Sequence, residues 1–361
     1  MSGTAPVLEF RPLQRADLPL LLRWRRAPHV QRWFGPDGGL AELERDYAAQ
    51  FAAKAPPCAF VAELDARPVA MLEWARFGEY PEIRRAFAIQ DSNTVNCDVL
   101  IGEQDSTLQG LGPTLIRQFL ERIVFVDPEL HTCVIDPEPD NSIAIRAYEK
   151  AGFRFLRAVP EDSEGHAAYL MQLTRAELAN PTRTASVYIR PARESELDVA
   201  TEIDDDAGAL FADIGVPFDF DKDHPFVVAE RERFAHAARA QRLLFACSPT
   251  GEPIAFAAFG LVDARPFLFQ LAVRRAWTRR GVGTLLLQRA VAWSVRAQEL
   301  WLTTYRHVSW NGPWYTRLGF AEQPLLQLGP ELRALSDAER ASLPVGEQRI
   351  VMRLAHSDWS W

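Results

Sequence analysis

The spacing of apolar and polar residues changes in a fixed order along the chain, and the order occurs twice. Leu8-Glu-Phe-Arg-Pro-Leu13 alternates as a short strand does and runs into a helical pattern over 17–26. Val187-Tyr-Ile-Arg-Pro-Ala-Arg193 does the same before a helical pattern over 194–210. In the first half the pattern then predicts a helix over 40–53, strands over 57–64, 68–77 and 95–101, a helix over 110–123, a strand over 131–135, a helix over 141–151, and strands over 153–159 and 167–173. The second half predicts strands near 242–247, 253–261 and 266–273, a helix over 281–297, a strand over 299–304, a helix over 309–317 and a last strand near 347–354. Antiparallel strands followed by a strand–helix–strand–helix passage predict an α+β fold: two tandem units, each a mixed, mostly antiparallel twisted sheet flanked by helices. The stretch 177–186 is polar, contains Pro181 and has no apolar period, so domains over 1–179 and 187–361 are expected, joined by a linker over 180–186.

A two-part motif recurs inside this pattern. Gly110-Leu111-Gly112 precedes Asn141, Tyr148 and Gly152-Phe153, and Gly281-Val282-Gly283 precedes Asn311, Tyr315 and Gly319-Phe320. Each set reads as a glycine turn entering a helix, then a second helix that supplies an amide and a phenol. At such a turn several backbone N–H groups converge above a helix N-terminus, glycine leaves room for close approach, and the helix dipole favours a phosphate. Arg279 and Arg280 add positive charge to the second turn. A Rossmann dinucleotide site fits worse, because Leu115 and Leu286 stand where its third glycine would be. A Walker loop is excluded, since no Gly-Lys-Ser/Thr is present. Two copies in one order point to a duplicated fold that binds one kind of phosphorylated ligand twice.

Composition narrows the classes. The net charge is −8, unevenly spread: residues 1–180 hold 26 acidic against 19 basic side chains, and residues 181–361 hold 22 against 21. That argues against nucleic acid as a partner and makes the first half favourable to a cationic ligand. No apolar run is long enough to span a bilayer, and the N-terminus lacks a basic region followed by an apolar stretch, so no membrane partner and no signal peptide are expected. Cys58, Cys97, Cys133 and Cys247 lie far apart in sequence without metal-ligand spacing, which suits free thiols in the cytoplasm and no metal centre.

At these motifs the chain resembles the GCN5-related N-acetyltransferases (GNAT). The resemblance implies acetyl-CoA as cosubstrate, its pyrophosphate at each glycine turn, the Asn of the second helix on the pantetheine arm, and the Tyr as the acid that protonates the departing thiolate. It places donor contacts at Val99, Ile101, Gln109, Gly110, Leu111, Gly112, Thr114 and Asn141 in the first half. In the second half it places them at Ala272, Val273, Arg279, Arg280, Gly281, Val282, Gly283, Thr284 and Asn311. Tyr148 and Tyr315 take the acid's position. The family's turn begins with Arg or Gln, where this chain has Thr107 and Thr278, and Pro113 removes one N–H from the first turn.

The first half is closer to one branch. Phe10-Arg-Pro-Leu, Arg23-Trp24, His29-Val-Gln-Arg-Trp-Phe-Gly35, Asp98-Val-Leu-Ile-Gly102 and Asp136-Pro-Glu-Pro-Asp-Asn141 look like the aminoglycoside 6′-N-acetyltransferases. This implies Asp98 as the general base and Asp136 as a ligand for acceptor amines. Trp33 and Phe34 would lie by the acceptor cleft, with Glu73 and Glu79 as further acids. The acceptor is then a small-molecule, cationic primary amine. A siderophore-type branch shares the Asp-Pro-x-Pro-x-Asn run but typically carries His where Asp98 stands. The second half resembles the family without an acceptor signature: Gln270 occupies the strand position where many relatives carry a carboxylate. Asp204, Asp205, Asp206 and His307 are alternative bases, with a solvated charge cluster as the simpler account of most of the aspartates. A CoA-binding scaffold with a degenerate second domain is the reading of a different class.

Overall fold

Two seven-stranded sheets carry the chain, one built chiefly from residues before 186 and one chiefly from residues after it. The computed structural model describes residues 6–34, 38–52, 54, 58–103, 111–160, 167–180, 187–218, 220, 221 and 223–355. The expected linker therefore lies almost wholly outside the described residues. No helix among them is long and apolar enough to cross a membrane.

In the first unit the elements run β1 (Glu9–Pro12), α1 (Leu18–Arg25), α2 (Pro28–Phe34), α3 (Leu40–Asp46), α4 (Ala48–Phe51), β2 (Ala59–Leu64), β3 (Arg67–Arg76), α5 (Pro81–Ala86), β4 (Val95–Ile101), α6 (Leu111–Phe119), β5 (Thr132–Ile135), α7 (Ser142–Ala151), β6 (Arg154–Val159), β7 (Ala168–Thr174) and α8 (Arg175–Ala179). The strand order is β1-β2-β3-β4-β5-β7-β6, and the β4–β5 pair is parallel. The second unit runs β8 (Tyr188–Pro191), α9 (Leu197–Ala212), α10 (Pro225–Arg239), β9 (Leu243–Cys247), β10 (Pro253–Val262), β11 (Arg265–Val273), α11 (Val282–Trp293), β12 (Glu299–Tyr305), α12 (Gly312–Arg317), β13 (Ala321–Glu322), α13 (Pro330–Ser342) and β14 (Arg349–Ala355). Its order is β13-β14-β12-β11-β10-β9-β8, with β11–β12 parallel. The α+β class and the duplicated mixed sheets agree with the sequence pattern.

The duplication reaches single side chains. Arg11 makes two bonds of 2.7 and 2.9 Å to Asp17, and Arg190 makes two of 2.8 and 2.7 Å to Glu196, so each unit opens on a strand pinned to the turn that follows it. The Arg190 hydrogen bonds hold the Glu196 carboxyl down at about 2. Asp65-Ala66 and Asp263-Ala264 both have positive φ and close the β2–β3 and β10–β11 hairpins as two-residue turns. Both turns lie in the tetrapeptide Asp-Ala-Arg-Pro, yet the hairpins are not counterparts: counted from β1 and β8, β2–β3 are the second and third strands of one sheet and β10–β11 the third and fourth of the other.

Helices missed by the apolar period have identifiable reasons. α10 and α13 start at Pro225 and Pro330, and α13 buries little beyond Leu332, Ser336 and Glu339, so its stripe is too polar to read. The expected helix over 40–53 breaks at Tyr47 into α3 and α4.

In the first unit Leu18, Leu21, Trp24, Leu43 and Tyr47 pack on Val61, Met71 and Leu100, which places α1 and α3 over the face of β4 that carries its even-numbered residues. Gly102, just past β4, is held by this packing: a Cβ there would lie 2.0 Å from the Trp24 ring, which is 2 % exposed. Gly102→Ala is expected to destabilise the first unit by about 2–3 kcal/mol through overpacking. The check is the denaturant midpoint of that unit's unfolding, and an unchanged midpoint would contradict this packing.

Candidate active site

In both units the parallel pair is short and then opens. β4 meets β5 only at Val95–Cys133 and Asn96–Val134, while β4 runs on to Ile101. β11 meets β12 only at Phe267–Trp301 and Leu268–Leu302, while β11 runs on to Val273. Two strands that stop pairing leave backbone groups on their facing edges free for a ligand.

Around the first opening the structure gathers acids. Asp98 lies on β4 directly across from Glu73 on β3. Asp136 follows β5, and Asn96, on the same face of β4 as Asp98, donates to it at 2.9 Å. Glu73 accepts from the Tyr47 hydroxyl at 2.9 Å. Asp98 keeps accessible surface, but protein packs densely around the rest of it. That crowding, with the charges of Asp136 and Glu73, pushes its pKa up to about 8. Burial likewise raises Asp136, against the Asn96 hydrogen bond, and raises Glu73, against the Tyr47 hydrogen bond. Such a cluster does not ionise fully near neutrality unless a cation enters it. The folded chain holds these protons more tightly than the unfolded chain, so this cluster's contribution to stability falls as pH rises from the ordinary carboxylate range through about 8.

Tyr148, on α7, faces the same place: burial, then the charges of Asp98 and Asp136, hold its pKa well above that of a free phenol, so the hydroxyl stays protonated. Its ring packs on Phe153, the second residue of the Gly-Phe ending, at 5.7 Å. Cys97 and Cys133 are free, buried thiols on the two parallel strands, and they hydrogen-bond each other. The pair distant in sequence is thus adjacent in the sheet.

The other expected site residues are placed less centrally. Glu79 is exposed, on a turn beside Tyr80, whose hydroxyl also feels Glu73. Arg32 lies over the Trp33 ring at 4.7 Å and Phe34 is 42 % exposed. Tyr47 and Asn96, which hold Glu73 and Asp136, escaped the sequence reading. Asn96 was legible from strand alternation, two residues before Asp98; Tyr47 had no local signal.

The first glycine turn is only partly described. Gln109 and Gly110 lie outside the described residues. Leu111 is buried, and a Cβ on Gly112 would sit 3.3 Å from that of Ala147, so this glycine lets α6 pack closely on α7. Thr114, Val99 and Ile101 are half-buried, and the Ile101 carbonyl lies 3.1 Å from His29 Nε2. Asn141 caps α7 by accepting from the Ala144 N–H at 3.1 Å. That commits its carbonyl oxygen and leaves its amide hydrogens unengaged among the described residues.

The second turn is fully described and fits an anion. Arg279 and Gly281 have φ of 60° and 77°, Gly281 caps α11, and a Cβ on Gly281 would meet nothing within 4 Å. The N–H groups of Val282, Gly283 and Thr284, in the first turn of α11, have no carbonyl one turn earlier inside the helix. Arg280 is exposed and stacks over Trp277 at 5.0 Å. Ala272 is buried and Val273 half-buried on β11. Asn311 precedes α12 without a side-chain capping bond, and Tyr315 is 8 % exposed, its pKa raised by burial.

Two of the three second-unit aspartates lie at the surface, as a mostly solvated cluster would, and one does not. Asp205 is exposed and Asp206 accepts from the Arg275 N–H at 2.7 Å, but Asp204 is enclosed and accepts from Gln270 Nε2 at 2.8 Å. His307 is exposed. Among the described residues no group of three or more His, Cys, Asp or Glu side chains is arranged to hold a metal ion.

Comparison with known proteins bears on both units. Residues 14–160 match the family model "Acetyltransferase (GNAT) domain", and residues 209–320 match "Acetyltransferase (GNAT) family". The chain is 27 % identical over 180 residues to aminoglycoside N(6′)-acetyltransferase type 1 of Klebsiella pneumoniae, covering 46 % of this chain and 83 % of that protein. It is 43 % identical over 68 residues to a kanamycin resistance protein of Rhizobium radiobacter, covering 19 % of this chain and 61 % of that protein. Among solved structures, aminoglycoside acetyltransferase AAC(6′)-Ib in complex with coenzyme A is 27 % identical, with a TM-score of 0.42 and coverage of 49 % of this chain and 100 % of that one.

Proposed function

Because the chain carries two acetyltransferase (GNAT) domains and is an acetyl-CoA-dependent N-acetyltransferase, we propose that its first domain acetylates a primary amine of an aminoglycoside-like polycation. We place the domains at 1–179 and 187–361, joined by 180–186. The observation that carries the reading is the convergence of Asp98, Asp136 and Glu73 beside Tyr148 at the strand opening. A relative named as an aminoglycoside N(6′)-acetyltransferase supports the acceptor class.

The acyl donor supplies an acetyl thioester and leaves as a thiol. Val99, Ile101, Leu111, Gly112, Thr114 and Asn141, with Gln109 and Gly110, would hold it in the first domain. In the second, the open cradle formed by residues 279–284 would hold its pyrophosphate, with Ala272, Val273 and Asn311 beside the pantetheine arm. Raised carboxyls suit a polycation: an ammonium arriving among them makes ionisation favourable, so binding acceptor and readying the base are one event. Asp98 takes the proton from the attacking amine, Asp136 and Glu73 hold neighbouring ammonium groups, and backbone N–H groups near Val99 polarise the carbonyl oxygen. Tyr148 gives its proton to the departing sulfur.

Asp98 works as a base only when ionised, and its pKa in the free protein is about 8. kcat/KM for kanamycin is therefore expected to rise with pH up to about 8 and then level. The acceptor's own amines titrate in this range, so the diagnostic is the difference between the wild-type profile and that of Asp98→Asn. Superimposable profile shapes would reject Asp98 as the base.

A further inference from the structure

Register identifies which second-domain residues stand where the first domain keeps its acids. Asp98 lies two residues past Asn96, the last β4 residue paired with β5; Gln270 lies two residues past Leu268, the last β11 residue paired with β12. By the same count Asp136 corresponds to Thr304, and Glu73, across from Asp98, corresponds to Ala258, across from Gln270. All three strand carboxylates are gone.

Their place is filled from the helices. β11 carries a β-bulge: Ala258 and Phe259, adjacent on β10, pair with Gln270 and Leu268, which leaves Phe269 as the extra residue. Beyond it Ala272 packs with α9 and α10, while Leu271 packs with α11. The bulge thus aims Gln270 at α9, where it donates to Asp204. Glu230, on α10, faces the same spot. It is enclosed by protein, has no hydrogen-bond partner among the described residues, and sits between the negative charges of Asp204 and Glu339 and the positive charges of Arg233 and Arg349. Glu339 is already bound to Arg349 at 2.6 Å. An enclosed carboxylate without a donor is costly unless a ligand supplies one. The positive charge of Arg349 also reaches Tyr315.

The adjoining cluster is aromatic. Phe211 lies two helical turns past Asp204 on the same face of α9. Its ring meets Phe218 at 5.0 Å, Trp310 at 5.5 Å and Tyr305 at 5.8 Å, and Trp310 is 38 % exposed.

We propose that the second domain acetylates a primary amine carried on an aromatic or alkyl body, with Asp204 as the base, Glu230 as the second anion holding the ammonium, and Gln270 as the residue that positions Asp204. This rests on the reading of that domain as an acetyltransferase. The ammonium loses two protons as the amide forms. One passes to Asp204, which releases it to solvent. The other, lost as the nitrogen–carbonyl carbon bond forms and the carbon–sulfur bond breaks, replaces on Tyr315 the proton given to the departing thiol.

The test uses the full chain carrying Asp98→Asn, so that the first domain is silent, and follows thiol release from acetyl-CoA with 2-phenylethylamine and tryptamine, against spermidine and kanamycin. The aryl amines are expected to be turned over in preference to the polycations. Adding Asp204→Asn should lower kcat/KM by about 100-fold, and adding Gln270→Glu to that variant should recover about tenfold by returning a carboxylate to the strand. Glu230→Gln should raise KM with kcat nearly unchanged. Undiminished turnover in Asp204→Asn overturns the assignment of the base. No turnover of either aryl amine, with calorimetry finding two acetyl-CoA molecules bound per chain, overturns the substrate class. If calorimetry finds only one bound, the acetyltransferase reading of the second domain fails, and the inference with it.

Discussion

Asp98→Asn is expected to lower kcat/KM for kanamycin by about 100- to 10,000-fold, the range spanned by loss of a positioned general base. The substitution is nearly isosteric, so Glu73 and Asp136 keep Tyr47 and Asn96 as partners. What disappears is the only group of the three without a protein donor among the described residues. Glu73 and Asp136 each have a hydrogen bond that favours their ionised forms and occupies an oxygen. Asp98 has none, and its raised pKa makes it the stronger base. Glu73→Gln and Asp136→Asn should therefore act mainly on KM, by weakening the hold on neighbouring ammonium groups. A larger kcat loss in either than in Asp98→Asn would move the base to that residue.

Tyr148→Phe is expected to lower kcat by about 100-fold with little change in the KM for kanamycin. Burial and nearby negative charge keep the phenol protonated across the working pH range, so it is a standing proton donor. The ring packs on Phe153, and phenylalanine preserves that contact, which separates loss of the hydroxyl from loss of packing. The cost should depend on the leaving group: a thioester of a more acidic thiol needs less protonation and should show a smaller penalty. Equal penalties for acidic and ordinary thiols would mean that Tyr148 orients the donor and does not protonate sulfur.

The acids of the first domain could be read in the chain because they lie in stretches whose order is local. Asp98 sits on an alternating strand, Asp136 at the Pro-rich exit of β5, and Tyr148 on a helix closed by Gly152, which has φ of 106°. The link between Gln270 and Asp204 was obscured because the direction of Gln270 depends on a bulge at Phe269, which no local pattern announces. One signal was available. Asp204 falls on the stripe Ala200, Ala207 and Phe211, which packs inward, while Asp205 does not. Three consecutive aspartates look equivalent only when the helical period is ignored. At Gly112, helix–helix contact and phosphate approach both call for a missing Cβ, and sequence does not distinguish them.

The most direct test of the account is to mix the full chain with acetyl-CoA and kanamycin, follow free thiol, and locate the acetyl group on the product by NMR. The account predicts thiol release that depends on kanamycin, matched mole for mole by acetylated amine and lost in Asp98→Asn. Thiol release no faster with kanamycin than without it would contradict it.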